Sequence, residues 1–347
     1  MKIVNAENRL QWDNFITSHP EANFLQSWDF YDFHASRPRP IIRRLALDDQ
    51  NRPIAAYAGV VETAKRGHYL AIAGGPILDW QNKKLVQAIF TDIKASGQQH
   101  HCVFIRVRPQ LELSSNSLHL MQKLGLKKAP IYLSVEHAGI LDLNQSETEI
   151  LQHASQSFRR KLRKAQKNNI TIETSTDPKI IKTFYQIELE TAKRQKFIAF
   201  SEDFLTKQFT AFSEHNEAII FTAKKANKIL AQNFMIFYGH EASYHYGVSS
   251  TLGTKYSAAP LLHLFAMQEA RKRGIKRYNL WGIVEKTDTS HRFYGVSEFK
   301  RSFGCKELKY TPAHDLILKP HKYLLSQIIE TVSTRSEERR VGKECRS

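Results

Sequence analysis

Apolar and polar positions alternate along the chain in two rhythms. Residues 41–47, 54–62 and 68–73 are short runs rich in branched and aromatic side chains, the pattern of strands. Gly74-Gly75-Pro76 breaks the last of them. Residues 28–35 read as a helix. Residues 83–96 set Leu85, Ile89, Phe90 and Ile93 on one side, which predicts an amphipathic helix ending near Gly97. Residues 102–107 read as a buried strand stopped by Pro109.

A second unit begins near residue 136. Ser146-Glu147-Thr148-Glu149 has the form of a capping box and predicts the start of a long helix. Ile150, Leu151, Ala154, Phe158, Leu162 and Ala165 form its apolar stripe, and Asn168-Asn169 ends it. Helices are predicted over 177–193 and 202–212, then a meander of strands over 218–224, 228–238 and 241–248. A helix over 260–273 and a strand over 277–280 follow. Residues 88–107 and 264–282 share one order, a basic-ended helix, a glycine and a strand, which is a faint internal repeat. Strand meanders joined to helix–strand units predict α+β layers with mixed, mostly antiparallel sheets.

The chain has 347 residues, enough for two domains with cores of their own. Hydrophobic residues make up 41% and charged residues 24%, which excludes a wholly disordered chain. No apolar run approaches the ~18 residues of a membrane span, and the polar start is not that of a signal peptide. Cys102, Cys305 and Cys345 lack the spacing of a disulfide framework or a zinc site. The expected location is the cytoplasm, with peripheral contact at the inner face of the cell membrane. The last thirteen residues, 335–347, look like a translated sequencing adapter. They hold five basic and three acidic residues, so the net charge of +17 falls only to +15 without them. The basic excess therefore belongs to the rest of the chain and points to an anionic partner.

Four constellations carry candidate chemistry. In residues 157–167 six of eleven positions are Lys or Arg, with no interleaved acid. With the apolar stripe given to a core, Arg159, Arg160, Arg163, Lys164 and Lys167 fall on the solvated arc. A plain soluble face usually mixes charge signs, so a phosphate-contacting surface is the sharper reading. Thr191-Ala192-Lys193-Arg194-Gln195-Lys196-Phe197 ends a helix; Arg194 suits either a diphosphate or the helix dipole. Tyr244 and Tyr246 alternate on one strand and are expected on one face, lining a cleft or half-buried in the sheet. Lys300 stands between aromatics before Gly304, as an oxyanion-stabilising ammonium or a snorkelling surface lysine. No G-x-S-x-G, Walker loop, G-x-G-x-x-G or H-E-x-x-H occurs, and the histidines lack metal-ligand spacing. No metal is expected.

In order and spacing these stretches resemble the Fem family (FemABX) of aminoacyl-tRNA-dependent peptidoglycan-bridge transferases. The landmarks run over nearly all of residues 1–320. They are Phe24-Leu25-Gln26-Ser27-Trp28, Gly75-Pro76-Ile77-Leu78-Asp79, and the basic helix with Arg159, Arg163, Lys164, Ala165 and Lys167. Thr191, Arg194 and Phe197 follow, then Tyr246-Gly247-Val248-Ser249-Ser250, Tyr278-Asn279-Leu280-Trp281-Gly282, and Phe299, Lys300, Phe303 and Gly304. The resemblance implies two tandem GNAT-like acyltransferase domains, the second inserted in the first. The expected boundaries are 1–135 plus about 312–334, and 136–311. With no heptad run, the chain matches the short type that lacks a coiled-coil arm.

The same resemblance implies transfer of an amino acid from its tRNA ester to the stem-peptide amine of a cell-wall precursor, nucleotide-linked or lipid-linked. The ester is already activated, so no cofactor is expected. Lys300 is implied to stabilise the oxyanion or orient the tRNA 3′ end, with Phe299 beside it. Arg194 is implied to hold acceptor phosphates, Tyr244 and Tyr246 to line the acceptor cleft, and the basic helix to meet the tRNA backbone. Where the family offers a lysine to the acceptor phosphates, this chain has His34, with Arg37 and Arg39 after it. Arg108 stands where the family has an acidic residue, so no general base is named. Two other functions fit the residues. An acyl-CoA-dependent N-acyltransferase needs a Gly-rich pyrophosphate cradle, for which residues 253–260 offer one glycine and a proline. A non-enzymatic RNA-binding or membrane-surface protein would need the charge alone.

Overall fold

Two mixed sheets, each in its own unit, organise the chain. The computed structural model describes residues 1–64, 67–195 and 198–327. Phe197 and residues 335–347 lie outside them. One unit comprises Met1–Glu136 and the chain from Lys309 on, the other His137–Leu308.

The first unit begins with β1 (Lys2–Asn5), α1 (Arg9–Ser18), α2 (Trp28–Ala35), β2 (Ile41–Leu47), β3 (Pro53–Ala64) and β4 (Gly67–Ala73). It continues with β5 (Ile77–Leu78), α3 (Lys83–Gln99), β6 (Phe104–Arg108), α4 (Ser115–Lys123) and β7 (Lys127–Lys128). The second unit holds β8 (His137–Asp142), α5 (Glu147–His153), α6 (Gln156–Lys167), β9 (Thr171–Ser175), α7 (Ile181–Gln195) and α8 (Glu202–Ser213). Strands β10 (Ala218–Lys225), β11 (Lys228–Tyr238) and β12 (Glu241–Ser249) form its meander. Then come α9 (Thr251–Tyr256), α10 (Ala258–Lys272), β13 (Arg277–Gly282), α11 (Tyr294–Arg301) and β14 (Lys306–Lys309). Strand β15 (His314–Ile317) returns to the first sheet.

The first sheet has the order β1-β2-β3-β4-β6-β15-β7, with β5 also paired to β3; the second has β14-β8-β13-β12-β11-β10-β9. Most neighbours pair antiparallel, while β4 with β6 and β12 with β13 are parallel. The faint sequence repeat corresponds to these parallel pairs, since α3 feeds β6 and α10 feeds β13. The two pairs differ in extent. Strands β4 and β6 stay in register from Tyr69↔Phe104 to Ala73↔Arg108. Strands β12 and β13 pair only from Glu241↔Arg277 to Ser243↔Asn279, and both continue beyond that point unpaired with each other.

Packing explains two departures from the sequence pattern. Helix α3 does not stop at Gly97 but runs on to Gln99. There a Cβ would come within 2.6 Å of Ile105, so the glycine permits close helix–sheet contact and does not end the helix. The long helix expected after Ser146 is two helices. Ser146 and Glu149 do form the capping box, but Ser155 begins again as an N-cap, its hydroxyl accepting the Phe158 N–H at 3.1 Å. The stripe survives the break, with Ile150, Ala154, Phe158, Leu162 and Ala165 all in the core of the second unit. Among the described residues no helix is long and apolar enough to cross a membrane.

Candidate functional site

The gap between β12 and β13 is the structural starting point. Adjacent parallel strands that separate at their carboxyl ends leave a crevice bordered by unpaired backbone groups. On β13 the separation is reinforced by an irregularity in its pairing with β8 between Asn279 and Gly282. Trp281 there adopts a left-handed backbone, φ 65°, and Asn279 Oδ1 accepts its N–H at 2.8 Å. The next carbonyl, that of Gly282, accepts a hydrogen bond of 2.7 Å from Lys300 Nζ.

Lys300 is only 7% exposed. It extends from the buried side of α11, next to Ser297, whose hydroxyl accepts the Val284 N–H at 3.0 Å. Arg301, bonded to Glu298 and Glu307, anchors the end of the same helix. The Lys300 ammonium lies 5.6 Å from the centre of the Tyr244 ring. Burial drives its pKa down to about 7, against an opposing pull from Cys305. Phe299 packs between Phe303 at 5.2 Å and His263 at 5.7 Å. His263 itself meets the Tyr244 ring at 4.4 Å and bonds Tyr278 Oη through Nδ1 at 2.7 Å. Its pKa is pushed down to about 3 by burial first and the Lys300 charge second, so the imidazole is neutral. Lys300, Phe299, Tyr244 and His263 thus meet in one place.

Tyr246 does not join them. Opposite β11 the register slips, with Phe234 facing Tyr246 but Met235 facing Tyr244, so His245 is an extra residue. A bulge of this kind shifts the two-residue alternation. The expectation that both tyrosines share a face is therefore corrected. Tyr244 turns with Met235 towards α10 and α11 and folds back over Gly247, where a Cβ would collide with its hydroxyl. Tyr246 turns with Phe234 to the opposite face and meets Phe200 at 5.4 Å. His245 shares that face: Nε2 lies 3.2 Å from Gln208 Oε1, and burial drives its pKa to about 3.

Arg194, in the last turn of α7, donates to the Ser249 carbonyl at 2.6 Å and lies 3.6 Å from Glu190. Glu190 in turn accepts from the N–H and hydroxyl of Thr251, both at 2.8 Å, and these bonds hold its carboxyl low. Arg194 therefore clamps the turn from β12 to α9 and keeps its outer edge in solvent. Residues 253–260 form the end of α9 and the start of α10, with Ser257 in a left-handed conformation between them.

On α6, Arg160, Arg163, Lys164 and Lys167 with Asn168 line a shallow cavity of about 420 Å³. Arg159 is diverted from this surface. Its Nη1 donates to the carbonyls of Gln152 and Ala154 at 3.0 and 2.5 Å, closing the end of α5.

In the first unit, His34 lies in the last turn of α2 among Phe30 at 4.7 Å and Phe33 at 4.9 Å. Burial, then the nearby charges of Arg37 and Arg39, drive its pKa to about 3. His34 is neutral and offers no charge to a phosphate, whereas the Arg37 guanidinium remains charged, 6.0 Å from the Phe33 ring centre. Arg108 is fully buried, donating to Ser134 Oγ at 2.6 Å and Gln110 Oε1 at 2.5 Å beneath Tyr310.

Sequence reasoning missed His263 and the buried carboxylate Glu188. A signal existed in both cases: each is a titratable residue standing on an otherwise apolar helix stripe. Among the described residues no group of three or more His, Cys, Asp or Glu is arranged to hold a metal ion.

Comparison with known proteins gives one consistent direction. The model of the FemAB family matches residues 8–226 and 216–331. A lipid II:glycine glycyltransferase of Staphylococcus aureus is 22% identical, covering 96% of each chain. The crystal structure of FemX superposes with a TM-score of 0.85 at 19% identity, covering 94% of this chain and 100% of that one. A tandem GNAT protein from the clavulanic acid biosynthesis pathway superposes with a TM-score of 0.56 at 10% identity, covering 91% and 98%.

Proposed function

Because the chain belongs to the FemAB family, we propose that it is an aminoacyltransferase that builds peptidoglycan bridges, taking its amino acid from aminoacyl-tRNA. The acceptor is a stem-peptide amine on a cell-wall precursor, as the name of the staphylococcal glycyltransferase suggests. The observation that carries the reading is Lys300, a buried ammonium fixed at the separation of two parallel strands.

In the reaction the acceptor nitrogen attacks the ester carbonyl, whose electrons move onto oxygen. The tetrahedral oxyanion then collapses, the bond to the tRNA ribose oxygen breaks, and the proton lost by nitrogen ends on that oxygen. A fixed positive charge in a water-poor crevice favours the oxyanion over the neutral ester. Lys300 has that position, with Phe299 and Tyr244 excluding water from its flanks. The neutral His263 beside it does not compete for charge. On α6 the surface of Arg160, Arg163, Lys164 and Lys167 suits the tRNA phosphates. Arg194 and Arg37 remain the candidates for acceptor phosphates in their respective units, with His34 a packing residue. The work place is the cytoplasm, with peripheral contact at the membrane if the acceptor is lipid-linked.

The test is direct. Purified protein is incubated with a panel of charged tRNAs and with nucleotide-linked and lipid-linked muropeptides, and products are read by mass spectrometry. An acceptor heavier by one amino-acid residue is expected; no mass shift across the full panel overturns the reading.

A further inference from the structure

Helix α7 carries an acid on its buried stripe. Ile181, Phe184 and Ala192 follow the spacing of a core-facing helix side, and all three are buried. Glu188 stands on that stripe between Phe184 and Ala192 and is only 5% exposed. Its carboxyl accepts the N–H of Phe200. The other oxygen, Oε2, is buried and has no hydrogen-bond partner among the described residues. Burial raises this carboxyl to about 7, against the Phe200 hydrogen bond.

Among the described residues, the side chains recorded around it are aromatic or amide groups. The Tyr246 phenol is hydrogen-bonded by Gln208 and is pushed up by burial and by the Glu188 charge. Phe200 stacks on Phe204 at 4.7 Å and meets Tyr246 at 5.4 Å. His245, held neutral by burial, connects the group to Trp281 at 5.9 Å. Trp281 precedes the Gly282 carbonyl that holds Lys300. The cluster therefore reaches the strand gap from the face opposite Lys300.

We propose that Glu188, walled by Tyr246, Phe200 and Phe204, is a receptor for a primary ammonium group carried by a substrate. This rests on the aminoacyl-transfer reading, in which both substrates bear such a group: the donor its α-amine, the acceptor its side-chain amine. A primary ammonium supplies the counter-charge that Oε2 lacks and several donors for the carboxylate. Aromatic faces attract the same cation. An alcohol or a thioester-linked acyl group would leave the buried carboxylate unmatched.

The experiment is binding, not turnover. The full chain at about pH 7.5, between the value to which burial raises Glu188 and the ordinary α-amine range of ~7.7–8.0, is titrated by ligand-observed NMR with two probes. Nα-acetyl-lysine amide represents the acceptor amine and glycine ethyl ester the donor amine. Each is paired with its hydroxyl counterpart, Nα-acetyl-6-hydroxynorleucine amide or ethyl glycolate. At least one amine is expected to bind about tenfold or more tighter than its alcohol, and Glu188→Gln to abolish the preference. The amine that binds identifies which substrate is read there. No amine preference in the wild type, or a preference retained in a folded Glu188→Gln variant, overturns the proposal. Should that variant not fold, the wild-type amine-to-alcohol ratio decides alone. Failure of amino-acid transfer in the separate mass assay would instead count against the transfer reading.

Discussion

Removing an ammonium from water favours its neutral form, and Lys300 shows this in a pKa lowered to about 7. The sign of its pH dependence follows. The charged form that stabilises an oxyanion is complete below about pH 7 and declines as pH rises through that value. The acceptor amine behaves oppositely, becoming more reactive as pH rises towards its own ordinary pKa. A ratio against Lys300→Arg, whose guanidinium stays charged, cancels the acceptor and every other common group. The wild-type to Lys300→Arg ratio of kcat/KM should be flat below about pH 7 and fall about tenfold per unit above it. A ratio flat to pH 9 would remove the Lys300 ammonium from the mechanism. Lys300→Ala should cost at least about a hundredfold in kcat, ~2.7 kcal/mol, the loss typical of an oxyanion donor. Lys300 was a candidate in the sequence because it lies between aromatics ahead of a glycine. Glu188 and His263 carry a weaker signal, a titratable residue on an apolar stripe, which does not by itself separate an internally paired core group from a site residue. His34 stands where the resemblance implies a lysine, but burial beside Phe30 and Phe33, with the charges of Arg37 and Arg39 nearby, keeps its imidazole neutral.

At the scale of elements, period and capping located most strands and helices, since amphipathic spacing is a local property. Two local events escaped that reading. The residue count in Tyr244-His245-Tyr246 is the same with or without a bulge, so alternation alone predicts both tyrosines on one face, and the pairing with Phe234 and Met235 separates them. Likewise the apolar stripe from Ile150 to Ala165 is continuous across a break whose only sequence mark is Ser155. That break has a consequence for function, because it turns Arg159 into the closure of α5 and leaves α6 to present the other cations. Arg163 and Lys164 are exposed on α6, so replacing both by alanine should leave the fold intact. If they meet tRNA phosphates, the slope of log binding constant against log salt should flatten by ~1–2. An unchanged slope in a filter-binding series would direct this helix face to another partner.

Across the whole molecule the chain leaves its first sheet, builds a second unit, and comes back with β15, which inserts between β6 and β7. The layered α+β class was legible in the helix–strand patterns of both halves, whereas this return, carried by one short strand with little periodicity, was implied only by the family resemblance. At its root lies an ion pair spanning 209 positions of sequence. Arg106 Nε and Nη2 each donate to the Asp315 carboxylate at 2.7 Å, and Tyr323 Oη donates to it at 2.8 Å. Arg106 is 1% and Asp315 0% exposed. A buried pair of this kind adds little net stability over an apolar pair of the same shape, yet loss of one partner strands a charge in the core. Asp315→Ala should therefore destabilise the first unit by ~3–5 kcal/mol in urea denaturation. Adding Arg106→Leu to it should recover much of that loss, because the stranded guanidinium is then gone. A double variant no more stable than Asp315→Ala would mean that β15 is held by its backbone ladder, and that the ion pair contributes nothing to bringing the chain back.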